Sequence, residues 1–185
     1  MNCVKIDSSY PRLREWLDLI GRSFDGINPA WIYDFLRSPD ILLLAAEEEG
    51  VLSGTVCMRF TADWEYLMLL AAVPEKRGRG TGTALFQKAA AEAEDRGLRG
   101  LLWECLGEYN FTKEEDIRTA LRRRAFYERL GGRTLEGCFT RIHLPEMNIY
   151  PEYRVMYYLT DRDADPGQGA RQVFGEGLII RDTEA

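Results

Sequence analysis

The sequence predicts an α/β protein with a mostly antiparallel sheet, and three observations carry that reading. Strand-length apolar runs follow one another with no helix between them at Ile41–Ala46, Val51–Phe60 and Glu65–Val73. Two amphipathic helical patterns precede them. Beyond them a glycine-rich turn opens an alternation of helix and strand that lasts to Leu159. The regular βαβ repeat that a parallel dinucleotide-binding sheet demands is missing.

Each element has its own justification. Cys3–Ile6 is short and alternates, as a half-buried strand does. Between Tyr10 and Phe24, the residues Leu13, Trp16, Leu17 and Ile20 recur at steps of three and four, which gathers them on one helical face. Asn28 and Pro29 suit the N-cap and first turn of a second helix, with Trp31, Ile32, Phe35 and Leu36 at helical spacing before Ser38-Pro39 stops it. Glu48-Glu49-Gly50 joins the first two strands of the antiparallel run as a hairpin. Ala84, Leu85, Lys88, Ala89 and Ala93 mark a third helix that ends near Arg96-Gly97. A strand at Leu101–Leu106, a helix at Ile117–Leu130 closed by Gly131-Gly132, and strands at Arg133–Ile142 and Tyr153–Leu159 complete the body. The expected division is a domain of residues 1–160 and a polar, glycine-rich tail of residues 161–185. Val173, Phe174 and Leu178–Ile180 in that tail are apolar enough to dock on the body or on a second copy, so a homodimer is compatible with the sequence.

Composition narrows the function classes. At 185 residues the chain has material for one core of ordinary size. With 24 basic and 30 acidic side chains it is acidic overall, which argues against general binding to nucleic acid or anionic membranes. No run approaches the ~20 apolar residues that cross a bilayer, and the first residues lack a secretory pattern, so the expected location is cytoplasmic. Cys3, Cys57, Cys105 and Cys138 form no closely spaced pair and His143 is the one histidine, so no metal site and no redox dithiol are expected.

The most informative segment is the turn Val73–Thr83, set between an apolar strand and an alanine-rich helix. Gly78, Gly80 and Gly82 permit positive φ and a close backbone approach, and the helix start adds N–H groups that lack intrahelical partners. Together they suit a diphosphate. A P-loop would need a lysine followed by Ser or Thr, which this turn lacks. The dinucleotide fingerprint would need glycine where Thr83 stands.

Arg77-Gly78-Arg79-Gly80-Thr81-Gly82 resembles the Gln/Arg-x-x-Gly-x-Gly/Ala signature of GNAT N-acetyltransferases, and Pro74 upstream keeps the family's spacing, although Ala72 stands where valine is usual. Arg124–Gly132, with Phe126-Tyr127 at its centre, is similar to the helix that precedes the family's sixth strand, with Gly132 in place of an aromatic residue. The resemblance spans residues 4–159 and implies a GNAT-like sheet of about six or seven strands flanked by helices, with strands four and five splayed apart. It further implies that Leu70, Ala71, Ala72 and Val73 pair with the pantetheine of acetyl-CoA, and that Arg77, Gly78, Arg79, Gly80, Thr81, Gly82 and Thr83 hold its diphosphate.

The implied reaction is direct acetyl transfer from acetyl-CoA to a primary amine of a small molecule or peptide, with no cysteine acyl-enzyme. It needs a deprotonated amine, oxyanion stabilisation and a proton for the leaving thiolate. Tyr127 resembles the family's tyrosine that points at the sulfur. Glu104, which strand alternation places beside Leu102 and Leu106, is the first candidate base. Glu65 is its rival, and Glu108 stands third. Acceptor choice falls to the first two helices and to the segments 107–116 and 144–153, where Trp31, Tyr33, Tyr109, Phe111 and Tyr150 offer aromatic walls. A CoA-binding sensor without turnover, and transfer to a hydroxyl, are the alternative readings.

Overall fold

The computed structural model describes residues 1–24, 29–144 and 148–181, with backbone alone for 29–31. Asn28, the expected N-cap, and the side chain of Trp31 lie outside the described residues. The chain packs as two compact units, Met1–Phe60 with Tyr66–Glu92 and Thr61–Glu65 with Ala93–Ala185.

The first unit orders its strands β1 (Asn2–Lys5), β2 (Ile41–Glu48), β3 (Val51–Phe60) and β4 (Glu65–Ala72) side by side. β1 pairs antiparallel with β2, and β2 with β3. Glu49 and Gly50, both at positive φ, make the hairpin turn between β2 and β3. Helix α1 (Leu13–Ser23) lays Trp16, Leu19 and Ile20 into the core with Ile6, Leu43, Ala45 and Cys57. Its buried indole is satisfied: Trp16 Nε1–H donates to Thr55 Oγ1 at 2.7 Å, and that hydroxyl donates to the Leu44 carbonyl at 2.9 Å. Helix α2 (Pro29–Phe35) follows, opening on the expected proline. Helix α3 (Thr81–Asp95) buries Leu85, Ala89 and Ala93 as its periodicity predicts, and Phe86 and Ala90 besides, while Ala84 and Lys88 are half-buried.

The second unit orders β5 (Gly100–Leu106), β7 (Glu152–Leu159), β6 (Arg133–Arg141) and β8 (Leu178–Ile180), and each of these neighbours is antiparallel. Helix α4 (Glu114–Arg129) packs on β5 and carries the acidic run Glu114, Glu115 and Asp116 in its first turn, where the helix dipole favours it. The described strands number eight against an expected six or seven. The addition is β8, which the tail supplies by pairing with Cys138, Phe139 and Thr140.

A fifth helix, α5 (Pro166–Phe174), also comes from the tail and packs against β5, β6 and β7. Asp165 caps it by accepting from the Gly167 N–H at 2.8 Å, Pro166 opens it, and Gly175 ends it at φ 53°. Gly167 and Gly169 weaken its intrinsic propensity. Tertiary packing explains Gly169, because a Cβ there would stand 2.6 Å from the buried Trp64 ring. Gly169→Val should therefore lower unfolding stability by about 1–3 kcal/mol, read as a reduced urea midpoint. No described helix is long and apolar enough to cross a membrane, and no described cluster of three His, Cys, Asp or Glu side chains could hold a metal ion.

Candidate active site

The glycine turn is built wholly within the first unit. Val73 N–H, just past the end of β4, donates to the Ser53 carbonyl at 2.9 Å. A single 3-10 turn, Pro74–Lys76, then closes with the Arg77 N–H on the Pro74 carbonyl at 3.2 Å. Gly78 and Gly80 take φ of 79° and 87°, values that side-chain-bearing residues avoid, and the space where their Cβ atoms would stand is open to 4 Å. The chain thereby reverses into α3, whose first backbone bond runs from Ala84 N–H to the Gly80 carbonyl at 3.0 Å. Thr81, Gly82 and Thr83 precede that bond, so the helix ladder does not use their N–H groups.

Three further features suit an oxyanion. No acidic residue occupies the first turn of α3, leaving its positive dipole end uncompensated. Arg77 and Arg79 are exposed beside it. Thr81 is 2 % exposed, and its hydroxyl oxygen has no hydrogen-bond partner among the described residues. A buried orphan of that kind is costly unless something completes it, and a phosphate oxygen is a suitable acceptor. The diphosphate of CoA therefore fits the residues present. On the adjoining strand end, Ala71 is buried while Leu70, Ala72 and Val73 are half-buried.

The three catalytic candidates lie in the second unit. Tyr127 is buried on the last turns of α4, 4.9 Å between ring centroids from Trp103 and 5.0 Å from Phe126. Burial pushes its phenol well above the ordinary tyrosine range, with the neighbouring Cys105 adding to the effect and Arg123 opposing it. The hydroxyl is thus held protonated. Trp103 also explains Gly132: a Cβ there would lie 2.9 Å from the indole, which fills the space a side chain would need.

Glu104 is half-buried and accepts a hydrogen bond from the Thr140 hydroxyl at 2.6 Å. The register of β5 is unbroken, so Glu104 and Trp103 point to opposite faces of the strand. Tyr127 packs at a tilt against Trp103, and Glu104 points to the other face. Glu65, the first residue of β4, is fully buried at the opposite end of that strand from Leu70–Val73. Glu108 is engaged elsewhere, with Arg154 at 2.9 Å and Arg124 at 3.5 Å. Desolvation is the largest single influence and works to raise its carboxyl, but the Arg154 hydrogen bond, a backbone hydrogen bond and the Arg154 and Arg124 charges together outweigh it, so the net shift is downward and Glu108 is a weak base. Burial raises the thiol of each of the four cysteines, Cys105 to about 11, so none is poised as a nucleophile.

The segment after β5 is folded rather than loose. Asn110 donates to the Gly107 and Glu152 carbonyls at 2.8 and 2.7 Å and accepts from the Glu152 N–H at 2.9 Å. Tyr109 lies under the Arg154 guanidinium at 4.9 Å and edge-on to Phe139 at 6.4 Å, and Arg181 lies over Phe139 at 4.7 Å. Tyr33 and Tyr150 are exposed, and Tyr150 stacks on His143.

Glu152 ties the tail to this cluster. Arg181 lies 2.9 Å from it and Arg141 3.2 Å, and the Arg181 bond chiefly holds its carboxyl below the usual range of about 4.5. A depressed folded value means the stabilisation is present above pH 4.5 and disappears as pH falls through that lower value. Protection of the Leu178–Ile180 amides against hydrogen exchange, corrected for intrinsic rate, should accordingly fall in acid. In Glu152→Gln it should be weak already at neutral pH and lose that acid dependence.

A family model described as the acetyltransferase (GNAT) family matches residues 9–131. Among solved structures, an aminoglycoside 6'-N-acetyltransferase complexed with coenzyme A superposes with a TM-score of 0.65 at 17% identity, over 89% of this chain and 100% of that one. The ribosomal-protein-S18-alanine N-acetyltransferase from Escherichia coli gives 0.67 at 16% identity, over 89% and 96% of the two chains. Arabidopsis thaliana NAA60 in complex with acetyl-CoA gives 0.66 at 14% identity, over 86% and 98%. At such identities these likenesses concern the fold alone. No curated protein sequence matches the chain. The family match covers more than half of the residues and includes the glycine turn and the Tyr127 helix; the chain belongs to the GNAT acetyltransferase family.

Proposed function

We propose that the protein transfers the acetyl group of acetyl-CoA directly to a primary amine of a small molecule or peptide within a ternary complex. The observation that carries this reading is the turn into α3, with its unengaged N–H groups, its two positive-φ glycines and the buried, unpartnered Thr81 hydroxyl. When bound, acetyl-CoA supplies a thioester-activated acetyl group. Arg77–Thr83 hold its diphosphate, and Leu70–Val73 offer main-chain groups to its pantetheine.

Tyr127 gives its phenolic proton to the sulfur as the carbon–sulfur bond breaks and the amide bond forms, and the proton shed by the amine is taken up by a carboxylate. Glu104 is the first candidate for that base and Glu65 the second. The raised thiol pKa values favour direct transfer over an acyl-cysteine.

Free-thiol release from acetyl-CoA across a panel of aminoglycosides, polyamines, amino acids and N-terminal peptides tests the reading. One amine should raise release well above hydrolysis. Binding of CoA with no amine active would favour a sensor without turnover, and an active alcohol would favour a hydroxyl acceptor.

A further inference from the structure

Gly54 lies inside β3, four residues after Gly50 and well before the strand ends at Phe60, and nothing in its local sequence sets it apart. Its backbone is ordinary extended chain, so positive φ is not the reason for a glycine there. The surroundings supply the reason. A Cβ at Gly54 would stand 2.7 Å from the Ala71 carbonyl oxygen, 2.8 Å from Thr81 Cγ2 and 3.0 Å from Leu85 Cδ1. The first atom belongs to the strand end that would meet pantetheine. The second belongs to the first residue of α3, where the cradle's N–H groups begin. All four residues lie within the first unit.

The three contacts are unequal. The Ala71 oxygen is main chain and can retreat only by moving β4. Thr81 Cγ2 sits on a short branched side chain fixed by the helix start, so it retreats only with α3 or by rotation of a stiff χ1. Leu85 Cδ1 is the end of a flexible side chain and yields more easily. The missing side chain at position 54 is thus what allows β4 and the first turn of α3 to approach β3 together.

We propose that Gly54 is a positioning residue that holds the Leu70–Val73 edge and the Arg77–Thr83 cradle at the separation one CoA molecule spans. This inference rests on the donor-site reading above. A side chain at 54 shifts one half of that site against the other. Each half keeps its own chemistry, while the advantage of engaging both through a single ligand is lost.

The test is calorimetric titration of wild type, Gly54→Ala and Gly54→Ala/Thr81→Ser with CoA, alongside ADP binding followed by NMR and thermal unfolding of each protein. Thr81→Ser removes the methyl group that the new Cβ meets and keeps the hydroxyl. Gly54→Ala should weaken CoA about tenfold or more, since misaligning the two halves forfeits part of the gain from engaging both with one ligand. ADP, which engages the cradle alone, should bind within twofold of wild type. The double variant should recover part of the loss and no more, because the Ala71 carbonyl remains in the way. In turnover with an active amine, KM for acetyl-CoA should rise while KM for the amine holds.

Gly54→Ala binding CoA within twofold of wild type, equal weakening of CoA and ADP, or no recovery in the double variant would each overturn the proposal. If both variants fail to fold, Gly54 serves the core and the proposal is likewise overturned. Absence of CoA binding by the wild type is a different result, since it removes the donor-site reading itself.

Discussion

Tyr127→Phe lowers kcat for acetyl transfer by about 100-fold or more, the usual scale for losing a positioned general acid, while the affinity for CoA stays within a few-fold. The substitution removes one oxygen and keeps the ring that packs on Trp103 and Phe126, so the α4 to β5 contact survives. Loss of the buried hydroxyl costs little in stability compared with the loss in rate. The pH profile adds a second check. Because burial raises the phenol, the wild type should keep its acid form through pH 10, and no alkaline limb from Tyr127 should appear below that. Unchanged kcat in Tyr127→Phe would leave proton delivery to water or to the acceptor.

Gly80→Val should weaken CoA by about 100-fold, the loss expected when two hydrogen bonds to a charged ligand, at ~1.5–3 kcal/mol each, are misdirected. Valine at φ 87° is a steric outlier, and the main chain must rotate away from the conformation that starts α3. A Cβ at this exposed position meets no protein atom within 4 Å, so the side chain starts out in open space away from the core. The folding cost should stay near the ~1–3 kcal/mol of local backbone strain, a fall of several degrees in melting temperature. Calorimetry and thermal unfolding on one sample separate the two effects. A Kd unchanged by the substitution would mean that the turn does not hold the diphosphate.

Gly80 was legible because glycine, proline and helix-start chemistry punctuate the sequence locally, whereas Tyr127 was reached only through the resemblance of Arg124–Gly132 to a family motif. The elements from β1 to β7 were legible for a related reason: their apolar periods are long and are bounded by turn residues. The tail was not. Gly167 and Gly169 argue against a helix, and only the Asp165-Pro166 pair announces α5; what makes it stable is Trp64, a hundred residues earlier in the chain. Gly54 was unreadable in the same way, since its meaning lies in Ala71, Thr81 and Leu85 rather than in its neighbours. Alternation placed Glu104 on the face of Leu102 and Leu106, but its Thr140 partner, two strands away, and the packing of Tyr127 against Trp103 on the other face depend on tertiary structure. Glu108 looked like a candidate base until its two guanidinium neighbours were placed.

The three-residue β8 has a practical consequence for handling the protein. It occupies the outer hydrogen-bonding rim of β6, and Arg181 just beyond it sets a charge at the margin. Cleaving the chain before Leu178 would bare that rim, including Phe139, and an uncovered strand rim recruits other chains into ribbons and precipitates. Trimming of the tail for crystallisation should therefore stop short of β8 and of the Arg181 to Glu152 contact.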